Sequence, residues 1–361
     1  MSNLQSKKML RPFIERAPAP MFLSGFFQSP PENFHQSETV EIDIQRDGED
    51  VAVAIKDLAS GRRYNEDTKG SNKAFKPPIF KEAIALDGFQ LMDREYGEHP
   101  FQNLAFQARA TIKVGRGSTK CQNKIRRAVE LMASQVLISG VAQSVNSDGN
   151  AVFEIDYQPK ATHVATVTTT WAADGLTGNP LGDLEALADV IRTDGRHDAD
   201  VIVFGATAWQ RFLANPKVEK AISRDGIGLG QLAPQKRGKG ATFQGFVWIG
   251  SYRFEMWTYT GTYVHPQTGT PTKYVPAEKL IMLSQEARLD LSFGAIPKIA
   301  SEEGRVLPFL PSRVSDSEGL IDFTPSAWLS PDNETLHVQT SSRPLPIPTE
   351  IDSFASLDIT T

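Results

Sequence analysis

The chain has 361 residues, a formal net charge of −5 and a charged fraction of 22%, which are ordinary values for a globular protein. No run approaches the roughly 20 consecutive apolar residues of a membrane helix, and no apolar stretch follows the first basic residues as in a signal peptide. Cys121 is the only cysteine, so an intrachain disulfide is excluded. The acidic balance argues against a sequence-specific DNA-binding domain, which is usually basic.

The first 44 residues indicate an arm rather than a folded domain. Prolines at positions 12, 18, 20, 30 and 31 interrupt any regular element. Aromatic residues nevertheless occur there, including Phe26 and Phe27, and they would be unfavourable in water. We therefore expect the arm to lie across another surface, either of its own subunit or of a neighbour. The alternation of Val40, Ile42 and Ile44 predicts a half-buried strand over 39–45, and a second apolar run follows at 51–55.

A long polar segment follows over 56–76, and Pro77 and Pro78 close it. Its interior carries the basic residues Arg62, Arg63, Lys69 and Lys73. A loop of this length without its own structure usually has a function. The basic residues fit three interpretations: a nucleic-acid patch, ordinary solvation of an exposed loop, or contact with an acidic surface on a neighbouring subunit.

Residues 100–140 have the pattern of a long amphipathic helix. Apolar and small residues recur at helical spacing from Ile125 to Ser139, and Gly140 is suited to the C-terminal cap. We expect Gly115 and Gly117 to interrupt or kink the helix. Three charged residues, Arg126, Arg127 and Glu130, are predicted to lie on other faces.

The rest of the chain alternates strands and helices, which predicts an α+β or α/β arrangement. Segments 151–157 and 163–169 are expected to form a hairpin. Asn179 and Pro180 open a predicted helix, followed by a strand at 200–205 and a helix at 207–213. Further predicted strands lie at 246–249, 253–259, 279–283, 335–339 and 353–359.

No motif indicates catalysis. The segment from Gly115 to Lys120 lacks the spacing of a phosphate loop, and the segment from Gly226 to Gly230 follows a helix rather than a strand. The six histidines are scattered, and Cys121 has no Cys/His signature around it. The sequence therefore predicts no catalytic residue, cofactor or metal. The remaining enzyme hypothesis is a nucleotide-dependent enzyme built on residues 177–260.

The order of these elements, together with several short segments, resembles a known protein family. The residues that carry the resemblance are Phe26-Phe27, then Glu38-Thr-Val-Glu-Ile-Asp43, Asp200-Val-Ile-Val-Phe-Gly205 with Trp209, Phe212 and Val218, Tyr274-Val-Pro276 before Ile281-Met-Leu283, and Pro344-Leu-Pro346 ahead of Ser353-Phe-Ala-Ser-Leu357. In this order they resemble the lambda-type major capsid proteins of tailed bacteriophages, the phage major capsid protein E family. The resemblance covers nearly the whole chain.

The resemblance implies an α+β fold of the type named after the Hong Kong ninety-seven phage. It implies five regions: an N-terminal arm (1–44), an extended loop (45–80), a peripheral domain (81–175) with the spine helix at 100–140, an axial domain (176–300), and a C-terminal region (301–361) that returns to the peripheral domain. Phe26, Phe27, Arg62, Arg63, Lys69 and Lys73 are then the candidates for contacts between subunits.

The function implied is a non-enzymatic major capsid protein. It would self-assemble as hexamers and pentamers into an icosahedral head around double-stranded DNA, after synthesis in the bacterial cytoplasm. Expected partners are further copies, a scaffolding protein, a portal and in some heads a decoration protein, with no membrane. Because no long segment precedes the arm, we expect a separate scaffolding protein and no cleavage of a large propeptide from this chain. Covalent cross-linking of subunits through Lys69 or Lys73 is not predicted. An encapsulin-like cellular shell is the alternative within the same fold.

Overall fold

The structure is a computed structural model. It describes residues 21–35, 40–44, 71–93, 106–145, 151–172, 177–222, 230–237, 240–299, 306–309, 315–316, 319–320, 323–330 and 334–360. Within these ranges, no helix is long and apolar enough to cross a membrane.

The described ranges contain five α-helices and twenty-two strands. The helices are α1 (Gly88–Met92), α2 (Phe106–Ser139), α3 (Pro180–Val190), α4 (Ala206–Ala214) and α5 (Pro216–Ile222). The strands are β1 (Val40–Ile44), β2 (Ser71–Phe75), β3 (Phe80–Asp87), β4 (Val141–Val145), β5 (Ala151–Asp156), β6 (Val164–Thr166), β7 (Val201–Phe204), β8 (Gly230–Lys236), β9 (Ala241–Ile249), β10 (Tyr252–Tyr259), β11 (Thr262–Val264), β12 (Pro271–Lys273), β13 (Lys279–Leu283), β14 (Asp290–Phe293), β15 (Ile296–Ile299), β16 (Val306–Phe309), β17 (Ser315–Asp316), β18 (Gly319–Leu320), β19 (Thr324–Leu329), β20 (Thr335–Ser342), β21 (Pro344–Ile347) and β22 (Phe354–Asp358).

A mixed sheet in the order β6-β22-β13-β7-β10-β9-β8 forms the middle layer. Strand β7 is buried along its whole length, and its side chains alternate between two cores because successive residues of a strand point to opposite faces. Val201 and Val203 belong to the core beneath α2 and the arm, whereas Ile202 and Phe204 belong to the core beneath α3 and α4. The continuous apolar run at 201–204 is thus explained by helices on both faces.

Helix α2 lies between this sheet and a second sheet of order β19-β20-β3. From Cys121 onward, the helix is buried on more than one side. Ile125, Val129, Met132 and Val136 are buried, as their spacing predicts. Glu130 was predicted to lie on a face other than the apolar one, but it is nevertheless completely buried. Arg126 is also buried.

The prediction that Gly115 and Gly117 interrupt this helix is wrong. Helix α2 runs without a break from Phe106 to Ser139. A glycine inside a helix costs only about 1 kcal/mol relative to alanine, which packing along a long helix can offset. Gly117 lies against β3, where an added Cβ would sit 3.5 Å from Cδ1 of Ile84. The cap predicted at Gly140 is confirmed: its φ is 72°, and its amide donates to the Val136 carbonyl.

Gly115→Ala is expected to stabilise the protein by about 0.5–1 kcal/mol, because an added Cβ meets nothing within 4 Å and alanine lowers the entropy lost in forming the helix. Urea unfolding monitored by circular dichroism measures the change. The matched control is Gly140→Ala, which should destabilise because of the positive φ and because Cδ of Pro159 lies 2.4 Å from the added Cβ. A lower stability of Gly115→Ala would contradict the prediction.

The predicted hairpin between 151–157 and 163–169 is not formed. Strand β5 pairs with the preceding strand β4, and β6 pairs in parallel with β22 near the end of the chain. Alternation of side chains shows that a segment is a strand, but it does not name the partner strand.

The C-terminal region pairs with strands from two of the predicted regions. Strand β20 pairs with β3 of the segment expected to form the peripheral domain, and the last strand, β22, lies in the central sheet between β6 of that same segment and β13 of the expected axial domain. The final strand therefore joins the sheet that residues 176–300 mostly build. The five region boundaries themselves remain a prediction.

The other predicted elements lie close to their expected positions. Helices α3 and α4 and strands β7, β10, β13, β20 and β22 match the predicted segments within a few residues. Strand β1 matches the prediction for 39–45, but residues 71–75 of the predicted loop form β2, which pairs with β1. The apolar run at 51–55 lies outside the described residues.

Candidate assembly surfaces

Residues 21–35, which we call the arm root, are attached to their own subunit through one buried carboxylate. Oε1 of Glu130 accepts hydrogen bonds from the amides of Phe22 (3.1 Å) and Leu23 (2.8 Å) and from the Tyr259 hydroxyl (2.8 Å). Oε2 accepts from the amide (2.9 Å) and the hydroxyl (2.6 Å) of Ser24. Five donors from two segments therefore converge on one side chain of α2.

Two opposing effects act on this carboxylate. Burial raises the pKa of Glu130, because a charge is poorly solvated in the interior, and the hydrogen bonds from Ser24, Leu23 and Tyr259 oppose that rise. Burial, with the nearby Glu130 charge, also raises the pKa of Tyr259 far above its ordinary value. The Tyr259 hydroxyl therefore stays protonated and remains a donor to Glu130.

Aromatic and backbone contacts hold the rest of the arm root. The Phe22 ring packs on Trp257 and Tyr259, with ring centroids 5.2 and 5.3 Å apart. The amide of Gln28 donates to the Leu289 carbonyl, and the amide of Leu291 donates to the Gln28 carbonyl. The Phe34 ring stacks on Phe293 at 5.0 Å. The arm root thus lies across a surface of its own subunit.

Glu130 is the residue that sequence reasoning missed. A glutamate within an amphipathic helix is ordinarily exposed, so the helical pattern gave no sign of its burial. The only related signal was the apolar arm at 21–27, which needed a surface, but the sequence did not say which one.

The structure describes only some of the predicted contact residues. Phe27 is buried in the core of its own subunit, so little of its surface remains for a neighbour. Phe26 is half-buried and packs edge-on against Phe22 at 5.4 Å. Lys73 lies on β2, paired in register with Ile42, while Arg62, Arg63 and Lys69 lie outside the described residues.

The motifs considered for catalysis take structural positions. The segment from Gly115 to Lys120 lies inside α2, where backbone amides bond to carbonyls one turn earlier and are not available to a phosphate. Cys121 is buried, and burial raises the pKa of its thiol, which disfavours the nucleophilic thiolate. Residues 223–229, with most of the glycine-rich segment, lie outside the described residues. Among the described residues, no group of His, Cys, Asp and Glu could hold a metal ion.

A groove of about 620 Å³ runs along α2 between β3, β4 and the β11–β12 pair. Its floor includes Ile125 and Met132, and Val264 on its rim is 65% exposed. Lys124 and Glu82 in the groove form an ion pair at 2.8 Å. The groove therefore offers apolar side chains beside charges that already have a partner.

The fold is similar to solved capsid structures. A protein assigned as the capsid protein of a prophage in E. coli CFT073 superposes with a TM-score of 0.60 at 20% identity, covering 81% of this chain and 80% of that one. A structure from Mycobacterium phage Che8 gives 0.46 at 12% identity over 99% and 98%, and an encapsulin complex from Synechococcus elongatus PCC 7942 gives 0.43 at 10% over 96% and 92%. The prophage protein confirms the predicted α+β capsid fold of the Hong Kong ninety-seven type.

The sequence comparison gives the family. A search of curated proteins gave no significant match. The sequence model of the phage major capsid protein E family, however, matches residues 13–359, which is nearly the whole chain. This chain therefore belongs to the phage major capsid protein E family, and it is a subunit of the capsid shell of a phage head.

Proposed function

We propose that this chain assembles as hexamers and pentamers into an icosahedral head that encloses double-stranded DNA. The observation that carries the proposal is the family match over residues 13–359 on a chain with the capsid fold. Assembly takes place in the bacterial cytoplasm, where the chain is made, and it uses a separate scaffolding protein, a portal and in some heads a decoration protein.

The composition supports enclosure of DNA without specific binding. The net charge of −5 disfavours close adhesion to phosphates over the whole surface, so the shell can surround the duplex without holding it. Phe26, Arg62, Arg63, Lys69 and Lys73 remain the proposed contacts with neighbours, and Phe27 supports the arm root from within its own subunit. Many modest contacts per subunit would together make a stable shell.

Expression of the chain in bacteria, followed by size-exclusion chromatography and negative-stain electron microscopy, tests assembly. Shells, tubes or capsomer rings are expected, because the chain is a capsid subunit and each copy offers several surfaces to its neighbours. Expression together with the adjacent phage head genes covers the case in which a scaffold is required. A chain that remains a monomer in both experiments would contradict the proposal.

The nucleic-acid content of particles from phage-infected cells distinguishes a phage head from an encapsulin-like cellular shell. A phage head is expected to contain genome-length double-stranded DNA. An encapsulin-like compartment would instead contain protein cargo, and particles with cargo and no DNA would contradict the phage-head proposal.

A further inference from the structure

A continuous strip of aromatic rings crosses one face of the β9–β10 pair. We call it the aromatic strip, and its members are Phe22, Phe26, Trp257, Phe243, Phe246 and Trp248. Neighbouring rings lie 5.1–5.4 Å apart from Phe246 through Phe243, Trp257 and Phe22 to Phe26. Trp248 extends the strip, because it pairs in register with Arg253, whose guanidinium lies 4.2 Å from the Phe246 ring centroid.

The strip passes from the interior to the surface. Its inner end joins the core at Tyr259, which contacts the Phe22 ring. At its outer end Trp248 is 46% exposed, and Phe246 and Trp257 are only partly buried. On the other face of the same strands, Val247, Phe254 and Met256 are fully buried under the helices. One face of the β9–β10 pair is therefore covered, whereas on the face with the strip Phe243 is buried and the described residues leave the outer end at Phe246 and Trp248 partly exposed.

Two arginines complete the strip. Arg253 lies over Phe246, and Arg237 lies over Phe243 at 5.2 Å from its ring centroid. Both arginines are exposed. Tryptophan, other aromatics and arginine are the residues enriched in the centres of protein interfaces, where exclusion of water strengthens their contacts.

The surface behind the strip has the opposite charge. Helix α3 packs on the far side of the sheet, and its Asp189 accepts a hydrogen bond from the Tyr252 hydroxyl of β10. Glu185 and Asp189 are exposed on α3, whereas nearby Asp198 already forms an ion pair with Arg192 at 3.6 Å. An arginine-bearing face and an acidic face thus point in opposite directions from the same part of the fold.

We propose that the aromatic strip is a contact surface for a second copy of this chain, which presents its acidic α3 face. This inference rests on the proposed function, because a shell subunit must bind its own kind. Two different faces that complement each other make a head-to-tail contact, the type of contact that closes into rings. Duplex DNA is a poor occupant, because its bases are stacked inside the helix and offer no free face to the rings.

Maleimide labelling of Trp248→Cys tests the contact. The native Cys121 is buried, so the introduced thiol is the reactive one. We expect the labelling rate at position 248 to be about tenfold or more lower in particles than in unassembled chains. The contact between the subunits must open before the maleimide can reach the thiol. The matched control is Trp328→Cys, because Trp328 is exposed to a similar extent, 44%, on a different sheet. The change in labelling rate at position 328 between unassembled chains and particles measures the general loss of reagent access that assembly causes.

Each outcome of the labelling has a definite meaning. Equal rates at position 248 in particles and unassembled chains would overturn the contact and leave the proposed function intact. Slow labelling already in unassembled chains would also overturn it, because another part of the same chain would then cover the strip. A wild-type chain that forms no particles, even with the adjacent head genes, would contradict the proposed function itself.

A double variant tests the head-to-tail arrangement. Particles of Trp248→Cys/Glu185→Cys treated with a short bismaleimide are expected to give a ladder of dimers, trimers and larger species on a denaturing gel. Each single variant should stay monomeric on the gel, because a head-to-tail contact places position 248 beside position 185 of the neighbour; dimers of either single variant would indicate contact between like faces and would overturn the pairing. The absence of species larger than a dimer in the double variant would overturn the pairing of the strip with α3.

Discussion

Glu130→Ala is expected to destabilise the protein by about 3–5 kcal/mol. The side chain accepts three backbone amides and the hydroxyls of Ser24 and Tyr259 in a fully buried position. Alanine would leave all of these donors without their acceptor, and it would also remove the attachment between α2 and the arm root. Urea unfolding measures the loss, and limited proteolysis should show earlier cleavage near residues 21–35.

Two variants control this experiment. Glu130→Gln keeps a side chain of the same shape and one acceptor oxygen, so its loss should be smaller than that of alanine. Glu82→Ala removes a carboxylate from an ion pair with Lys124 that is half-exposed, and such pairs contribute only about 0–1 kcal/mol. If Glu130→Ala were no worse than Glu82→Ala, the carboxylate would not hold the arm root.

Phe212→Ala is expected to cost about 3–5 kcal/mol, because it removes a large side chain from a packed core and leaves a cavity. The Phe212 ring is fully buried, and its centroid lies 5.2, 5.7 and 6.4 Å from those of Phe204, Trp209 and Trp171. This cluster joins α4 to the central sheet. Thermal or urea unfolding measures the loss, and the quantum yield of tryptophan fluorescence should change with it.

The neighbouring residue supplies the control for this prediction. Leu213 follows Phe212 on α4 but is 39% exposed, so Leu213→Ala removes a side chain of the same helix with much less buried area. Its expected cost is below about 1.5 kcal/mol. Equal losses for the two variants would show that α4 is not anchored through the Phe212 cluster.

Much of the fold was predictable because its signals are local. The unbroken apolar run at Val201–Phe204 and the alternation at 353–359 each identify a strand from neighbouring residues alone. Asn179 and Pro180 likewise mark the beginning of α3. Capping, helix spacing and strand alternation act within a few residues, so these elements could be located without knowledge of their neighbours.

The candidate site was less predictable because it depends on contacts between distant segments. The aromatic pair Phe26-Phe27 indicated an arm that must be covered, and the structure covers Phe27 with its own subunit. The carboxylate that holds the arm lies more than a hundred positions further along the chain, at Glu130. Spacing within α2 places that glutamate off the apolar face but does not show its burial, because periodicity does not record what packs against a helix.

Local chemistry along the chain was thus sufficient to place three of the five described helices and every strand of the central sheet except β8, and the order of these elements was sufficient to indicate the capsid family. The tertiary structure alone decided strand partners, such as β6 with β22, the continuity of α2 through Gly115 and Gly117, and the burial of Glu130. The physical reason is common to all three. Each depends on free energy supplied by segments far away in the sequence, which outweighs a local preference of about 1 kcal/mol per residue.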